Sequence, residues 1–197
     1  MICQKYYNST SLHIVCALLM CLTCSCGKNA NERIVSEIKA MTGRTIVFPN
    51  GYQTISCDKT VNMKKCLQKD IKIVSYIDYL SCTQCGINMM MEWIDKINEI
   101  NPNVEYILVV NTDLKHELDS LVQQNDFYGL IMYYSTDTFI TTNNLDVMAC
   151  NKTFLLDKNN KIVLVGEPWD NKSLAQLYSQ TIDSLRKTYE NHKCHQQ

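Results

Sequence analysis

Cys82 and Cys85, with Thr83 and Gln84 between them, form a dithiol at i and i+3, directly after the apolar strand-like run Lys72 to Leu80. On a helix that spacing puts both side chains on one face, with Cβ atoms roughly 5–6 Å apart, within reach of a disulfide after local adjustment. At a helix N-terminus the first sulfur also meets unsatisfied backbone N–H groups and the positive end of the macrodipole, which favour thiolate over thiol. Such positions lower a cysteine from about 8.5 to about 3.5–7.5. A drop of two units is roughly 2.7 kcal/mol of preference for the thiolate. Cys82 is therefore expected to be the attacking sulfur and Cys85 the resolving one, and the chemistry such a pair performs is thiol–disulfide exchange.

The elements that must hold this pair alternate in type. The sequence predicts a strand over Ile71–Ile77, then a helix from about Cys82 to Ile100 with Met90, Trp93, Ile94 and Ile97 on its apolar face. Val104–Val110 is a nearly continuous apolar run, as a strand buried on both faces should be. Asp113 can cap a helix reaching Gln124, and Leu130–Tyr134 reads as a further strand followed by a polar Thr/Asn-rich connection to Leu145. Thr153–Asp157 and Lys161–Gly166 read as a hairpin across Lys158-Asn159-Asn160, where Asn suits a left-handed turn position. A last helix is expected over Lys172–Tyr189, with Leu174, Leu177, Tyr178, Ile182 and Leu185 inward. Upstream, Glu32–Met41 has helical spacing stopped by Gly43, and Thr45–Gly51 reads as a short strand ended by a Pro49/Gly51 turn. Residues 52–69 give little signal beyond a short helix around Val61–Leu67. The order implies a mixed sheet with parallel crossovers, an antiparallel edge and helices on its faces.

A chain of 197 residues with 46% apolar content supports one globular domain. Its formal net charge of -1, without a long basic run, excludes a nucleic-acid partner. At the N-terminus, Lys5 and the short apolar run Leu12–Leu22 followed by Thr23-Cys24-Ser25-Cys26-Gly27 read as a cleaved export signal, since a spanning helix needs about 20 apolar residues. The ending resembles the lipobox of bacterial lipoproteins. That resemblance implies lipidation at Cys26, with Cys24 as the alternative, and a membrane-anchored protein of the cell envelope facing the periplasm. Residues 1–25 are then signal peptide, 26–43 a tether and short helix, 44–190 the main domain and 191–197 a tail. Of 11 cysteines, Cys57, Cys66, Cys82, Cys85, Cys150 and Cys194 remain besides Cys26. Cys57 and Cys66, close in sequence, are candidates for a structural disulfide.

The element order, the dithiol after a buried strand, and Thr153-Phe154-Leu155-Leu156-Asp157 before a Lys-Asn-Asn-Lys hairpin together resemble the thioredoxin fold. The likeness is to the membrane-tethered TlpA-like thiol-disulfide oxidoreductases and related bacterial lipoproteins, over roughly residues 44–190. It implies a three-layer α/β/α domain with a mixed central sheet. It also implies a redox site at Cys82 and Cys85 needing no cofactor, and a groove formed by Ser81, Thr83, Gln84, Cys150 and Asn151. The partners it implies are disulfide-containing envelope proteins and a membrane electron donor or acceptor. The family's cis-proline aligns with Asn151, for which a trans bond is expected because a non-proline cis peptide costs about 2.5–4 kcal/mol. The family's buried acid aligns with Tyr76, with Asp78 the nearest carboxylate. The alignment also puts Cys150 near Cys82, as a third thiol or as a small buried hydrophobe.

Three other functions compete. Met89-Met90-Met91 beside the dithiol offers soft ligands for Cu(I), yet the mid-chain histidine is His116, within a predicted helix. Peroxidase chemistry is disfavoured because Tyr79 stands where a peroxiredoxin carries Thr. A binding or scaffold lipoprotein that keeps the fold without turnover is the main rival.

Overall fold

The computed structural model describes residues 31–55, 62–78, 104–111, 119–120, 123, 130–145 and 152–194. The chain divides into two compact units, Met1–Ala40 and Met41–Gln197. In the first, the described residues belong to helix α1 (31–41), where Arg33 Nε meets Glu37 Oε1 one turn on at 3.0 Å.

The second unit is built on one six-stranded sheet: β1 (Gln53–Ile55), β2 (Ile71–Asp78), β3 (Val104–Asn111), β4 (Leu130–Tyr134), β5 (Thr153–Leu156) and β6 (Ile162–Val165), in the spatial order β1-β4-β3-β2-β5-β6. Strands β2, β3 and β4 run parallel, and β5, β6 and β1 are antiparallel to their neighbours. The described helices of this unit are α2 (Met63–Leu67), α3 (Thr138–Asn143), a 3-10 turn over Pro168–Asp170, and α4 (Lys172–Cys194). This is the expected mixed sheet, with antiparallel strands at both edges.

Strand alternation sorts the core into two faces. Ile71, Ile73, Tyr106, Leu108, Val110, Ile131, Tyr133 and Leu155 point to one side and pack with Tyr178 and Ile182 of α4. The opposite side carries Val74, Tyr76, Ile107, Val109, Met132, Tyr134 and Phe154, all buried. Burial on both faces is why β2, β3 and β4 read as near-continuous apolar runs. Tyr178 is fully buried and its hydroxyl donates to Gly166 O at 2.8 Å, fastening α4 to the end of β6. Gly166 has φ +124, a backbone conformation that L side chains rarely adopt, so the chain leaving β6 requires glycine there.

Several sequence expectations are corrected. The stretch Thr45–Gly51 makes an isolated bridge from Thr45 to Lys161 and then turns, and the edge strand β1 begins two residues after Gly51. Its Gln53 and Thr54 are solvent-facing, so it lacks an apolar signature. Part of the connection after β4 is helical: Phe139, Ile140 and Asn143 turn inward, and Asn144 in the left-handed region closes α3. The poor helix propensity of Thr and Asn is overridden there by tertiary packing. Leu177 is 44% exposed, because the buried stripe of α4 runs Leu174, Tyr178, Ile182, Leu185 and Tyr189 and leaves Leu177 to one side. The helix itself runs five residues past Tyr189, to Cys194. In the hairpin Asn160 takes φ 60, as the turn chemistry required. The expected helix over Cys82–Ile100 and the Asp113 cap lie outside the described residues, though 119, 120 and 123 are helical.

Asn143, 3% exposed, ties α3 to the segment after α1: its Oδ1 accepts from Val47 N at 2.8 Å, and its Nδ2 donates to Val47 O and Phe139 O, each at 2.9 Å. Removing these bonds leaves buried backbone groups unsatisfied, so Asn143→Ala should lower unfolding free energy by about 2–4 kcal/mol in urea titration. Lys72 is fully buried, its Nζ donating to Lys69 O. Burial lowers its affinity for a proton below the ordinary 10.5, while Asp157 and Asp70 pull it back up. The unfolded chain thus holds this proton to a higher pH than the folded one, so stability rises as pH climbs toward 10.5. Lys72→Met should remove that slope: its stability relative to wild type is highest near pH 7 and shrinks as pH rises to about 10.

Candidate functional site at the carboxyl edge of the parallel strands

Because β2, β3 and β4 are parallel, their carboxyl ends Asp78, Asn111 and Tyr134 lie along one edge of the sheet, where open α/β sheets bind ligands. Antiparallel β5 starts at that same edge. The register sets Ser75 opposite Thr153, with their hydroxyls 3.0 Å apart and buried, and Tyr76 N–H donates to Lys152 O at 2.9 Å. Strand β2 ends four residues before Cys82, and β5 begins two residues after Asn151. The two chain segments that carry the predicted site are thus delivered to one edge by adjacent strands. The predicted site residues themselves, Ser81, Cys82, Thr83, Gln84, Cys85, Cys150 and Asn151, lie outside the described residues, as do Cys26, Cys57, Met89–Met91 and His116.

The described part of this edge is aromatic. Tyr76, in the position the resemblance assigns to a buried acid, is 7% exposed and stacks on Phe139 with centroids 6.1 Å apart and planes within 9°. Lys152 Nζ sits over the Tyr76 ring, 5.2 Å from its centroid. Phe139 also meets Phe48 and Tyr134, each at 6.0 Å. The Tyr134 hydroxyl donates to Pro49 O at 3.0 Å, and burial, with Tyr52 nearby, pushes its ionisation well above the ordinary 10. Sequence reasoning missed Phe139 and Lys152. The first was hidden in a Thr/Asn-rich connection, and the second stands out only once the register sets it beside Tyr76.

A second titratable group lies at the amino edge. Cys66 of α2 is 7% exposed and is a free thiol, so the disulfide with Cys57 suggested by their proximity is not formed. Burial pushes the Cys66 thiol up to about 11, helped by the Glu105 carboxylate, which accepts its hydrogen bond, and opposed by Lys69. Glu105 is itself raised by burial, with the Cys66 bond and Lys69 acting the other way. Glu105 is the second residue of β3 and Asn111 the last, so some 20 Å of strand separate this pair from the carboxyl edge. Cys66 is therefore excluded from chemistry at that edge. Among the described residues no group of three or more His, Cys, Asp or Glu could hold a metal ion, and no helix is long and apolar enough to cross a membrane.

No family model and no curated sequence matches the chain. Solved structures do. A candidate thiol:disulfide interchange protein, DsbE, from Chlorobium tepidum superposes with TM-score 0.51 at 12% identity, covering 73% of this chain and 97% of that one. A candidate protein disulfide isomerase from Bacteroides thetaiotaomicron gives 0.51 at 16%, covering 77% and 99%. A candidate thiol-disulfide oxidoreductase from Bacteroides vulgatus gives 0.51 at 13%, covering 70% and 91%. The chain has a thioredoxin-like fold. This α/β domain with its mixed sheet is the architecture expected from the dithiol-bearing strand and the hairpin.

The thioredoxin-like framework makes the state of Cys66 a clean reference for thiol reactivity. At pH 7.5 its thiolate fraction is on the order of 1 in 1,000 or less, against several per cent for an ordinary cysteine. Iodoacetamide should therefore leave Cys66 unmodified in the native protein and label it only after denaturation, as peptide mass mapping would show.

Proposed function

We propose that this chain is a thiol-disulfide oxidoreductase acting through Cys82 and Cys85, in the reductase or isomerase direction. The observation that carries the reading is the strand arrangement: β2 leads to the dithiol from the same sheet edge at which β5 starts, just after Cys150 and Asn151. The structures that share the fold are named for disulfide interchange, isomerisation and oxidoreduction. Fold alone does not assign function, so the dithiol carries the argument.

In the exchange, Cys82 thiolate attacks one sulfur of a substrate disulfide, forming a mixed disulfide and releasing the other substrate sulfur as a thiolate. Cys85, deprotonated, then attacks the Cys82 sulfur, so that the second substrate sulfur leaves and a Cys82–Cys85 disulfide forms. Two electrons pass from the protein dithiol to the substrate, and a membrane dithiol donor restores the reduced pair by the same steps. Ser81, Thr83, Gln84, Cys150 and Asn151 would form the groove. The sequence supports an envelope location: a lipid on Cys26 would anchor the domain facing the periplasm, where disulfide-containing proteins are the substrates.

The rival reading, a binding lipoprotein that retains the fold, draws support from Tyr76, which puts a ring where a proton-transferring acid is expected. The two separate on one pair of variants. Reduction of a test disulfide such as that of insulin should vanish with Cys82→Ala, and Cys85→Ser should accumulate mixed disulfides on Cys82. Wild-type protein that reduces no disulfide, with no adduct trapped by Cys85→Ser, would favour the scaffold.

A further inference from the structure

Asn50 and Gly51 form the one Asn-Gly pair in the sequence, and the fold leaves both residues exposed and outside helix and strand. Gly51 holds φ +95, a conformation that glycine adopts without cost, and it places no Cβ beside its own amide nitrogen. An asparagine so placed can react with the backbone that follows it, because the next residue's nitrogen closes a five-membered ring on the side-chain carbonyl carbon. Asn62, Asn111, Asn143 and Asn171 are held instead. Asn62 and Asn171 accept backbone N–H groups at the start of a helix, Asn111 donates to Asp137, and buried Asn143 is bonded through both ends of its amide. Exposure and the glycine that follows together single out Asn50.

We propose that Asn50 is a self-modification site, at which the exposed amide is converted by water alone to aspartate and isoaspartate. The Gly51 amide gives its proton to a base in solution, and its nitrogen attacks Asn50 Cγ. The N–Cγ bond forms as Cγ–Nδ2 breaks, and Nδ2 takes up a proton and leaves as ammonia. One water molecule then opens the succinimide ring. Cleavage of the new N–Cγ bond gives aspartate on the original backbone. Cleavage between the same nitrogen and the main-chain carbonyl carbon of residue 50 gives isoaspartate, with the backbone routed through Cβ and Cγ. No electrons are transferred: an amide and water become a carboxylic acid and ammonia. The place of the change matters for the sheet. On one side Pro49 O accepts from the Tyr134 hydroxyl at 3.0 Å; on the other Tyr52 meets the Tyr134 ring edge-on at 6.1 Å, and Gln53 begins the pairing of β1 with β4. The conversion thus puts a negative charge, and in isoaspartate an added backbone carbon, between two points tied to the carboxyl end of β4.

The test is tryptic mass mapping of the full chain after several weeks at neutral pH and physiological temperature, once native and once unfolded in urea. The peptide over residues 45–59 contains Asn50 as its sole asparagine, so a change there is assigned without ambiguity. In the native chain this peptide should gain about 1 Da, with isoaspartate outweighing aspartate, at a rate within about tenfold of that in urea. The rate should rise with pH, because the attacking nitrogen must lose its proton. Asn50→Gln, which would have to close a larger ring, should keep the peptide unmodified. An unchanged mass in the native chain overturns the proposal, as does a native rate more than about tenfold below the unfolded one, since the fold would then be protecting the pair. So does aspartate formed without isoaspartate, which is direct hydrolysis and not ring closure.

Discussion

Between β2 and β5 the hydroxyls of Ser75 and Thr153 meet at 3.0 Å in a buried position, and the ladder continues to Tyr76 N–H and Lys152 O. A one-residue slip would turn every side chain of β5 to the opposite face, burying Lys152's neighbours differently and leaving two hydroxyls without partners. Among the described strands, this pairing sets β2, which runs to the carboxyl edge, beside β5, which starts near it and runs away. Parallel β2 and β3 both run toward that edge and end there.

The two ends of the sheet are chemically unlike. At the amino edge Cys66, Glu105 and Lys72 are withdrawn from water, and burial moves each toward its neutral form: the thiol and carboxyl up, the amine down. Groups driven to neutrality make poor nucleophiles or acids at ordinary pH, so that end is structural despite its titratable side chains. At the carboxyl edge a cluster of rings, with Lys152 over one of them, lies beside Asn111 and Asp137. The sheet keeps these environments apart by the length of β3.

The strands were legible in the sequence because burial on both faces forces long apolar runs: Ile71–Asp78, Val104–Asn111 and Leu130–Tyr134 could hardly be read otherwise. The hairpin was legible from Asn160, whose left-handed backbone few residues accept. What stayed hidden was held by tertiary contacts. Strand β1 is an edge of three residues with polar side chains, and α3 is assembled from poor helix formers by Phe139 and by the three hydrogen bonds of Asn143. Leu177 is apolar and exposed because α4 buries a stripe one residue away. Of the candidate site, the approach strand β2 was readable from its apolar run. The Lys152–Tyr76–Phe139 stack was not, because its members lie 13 to 76 residues apart and only the register brings them together.

The replacement of an acid by Tyr76 changes the electrostatic problem this edge must solve. A carboxylate 7% exposed would need compensation for desolvation and, if ionised, would oppose a neighbouring thiolate. An aromatic ring in the same place costs little to bury and offers a negatively polarised face to a cation. The chain sets Lys152 over that ring and stacks Phe139 on it, so the position holds a ring and a neighbouring cation in place of a carboxyl group.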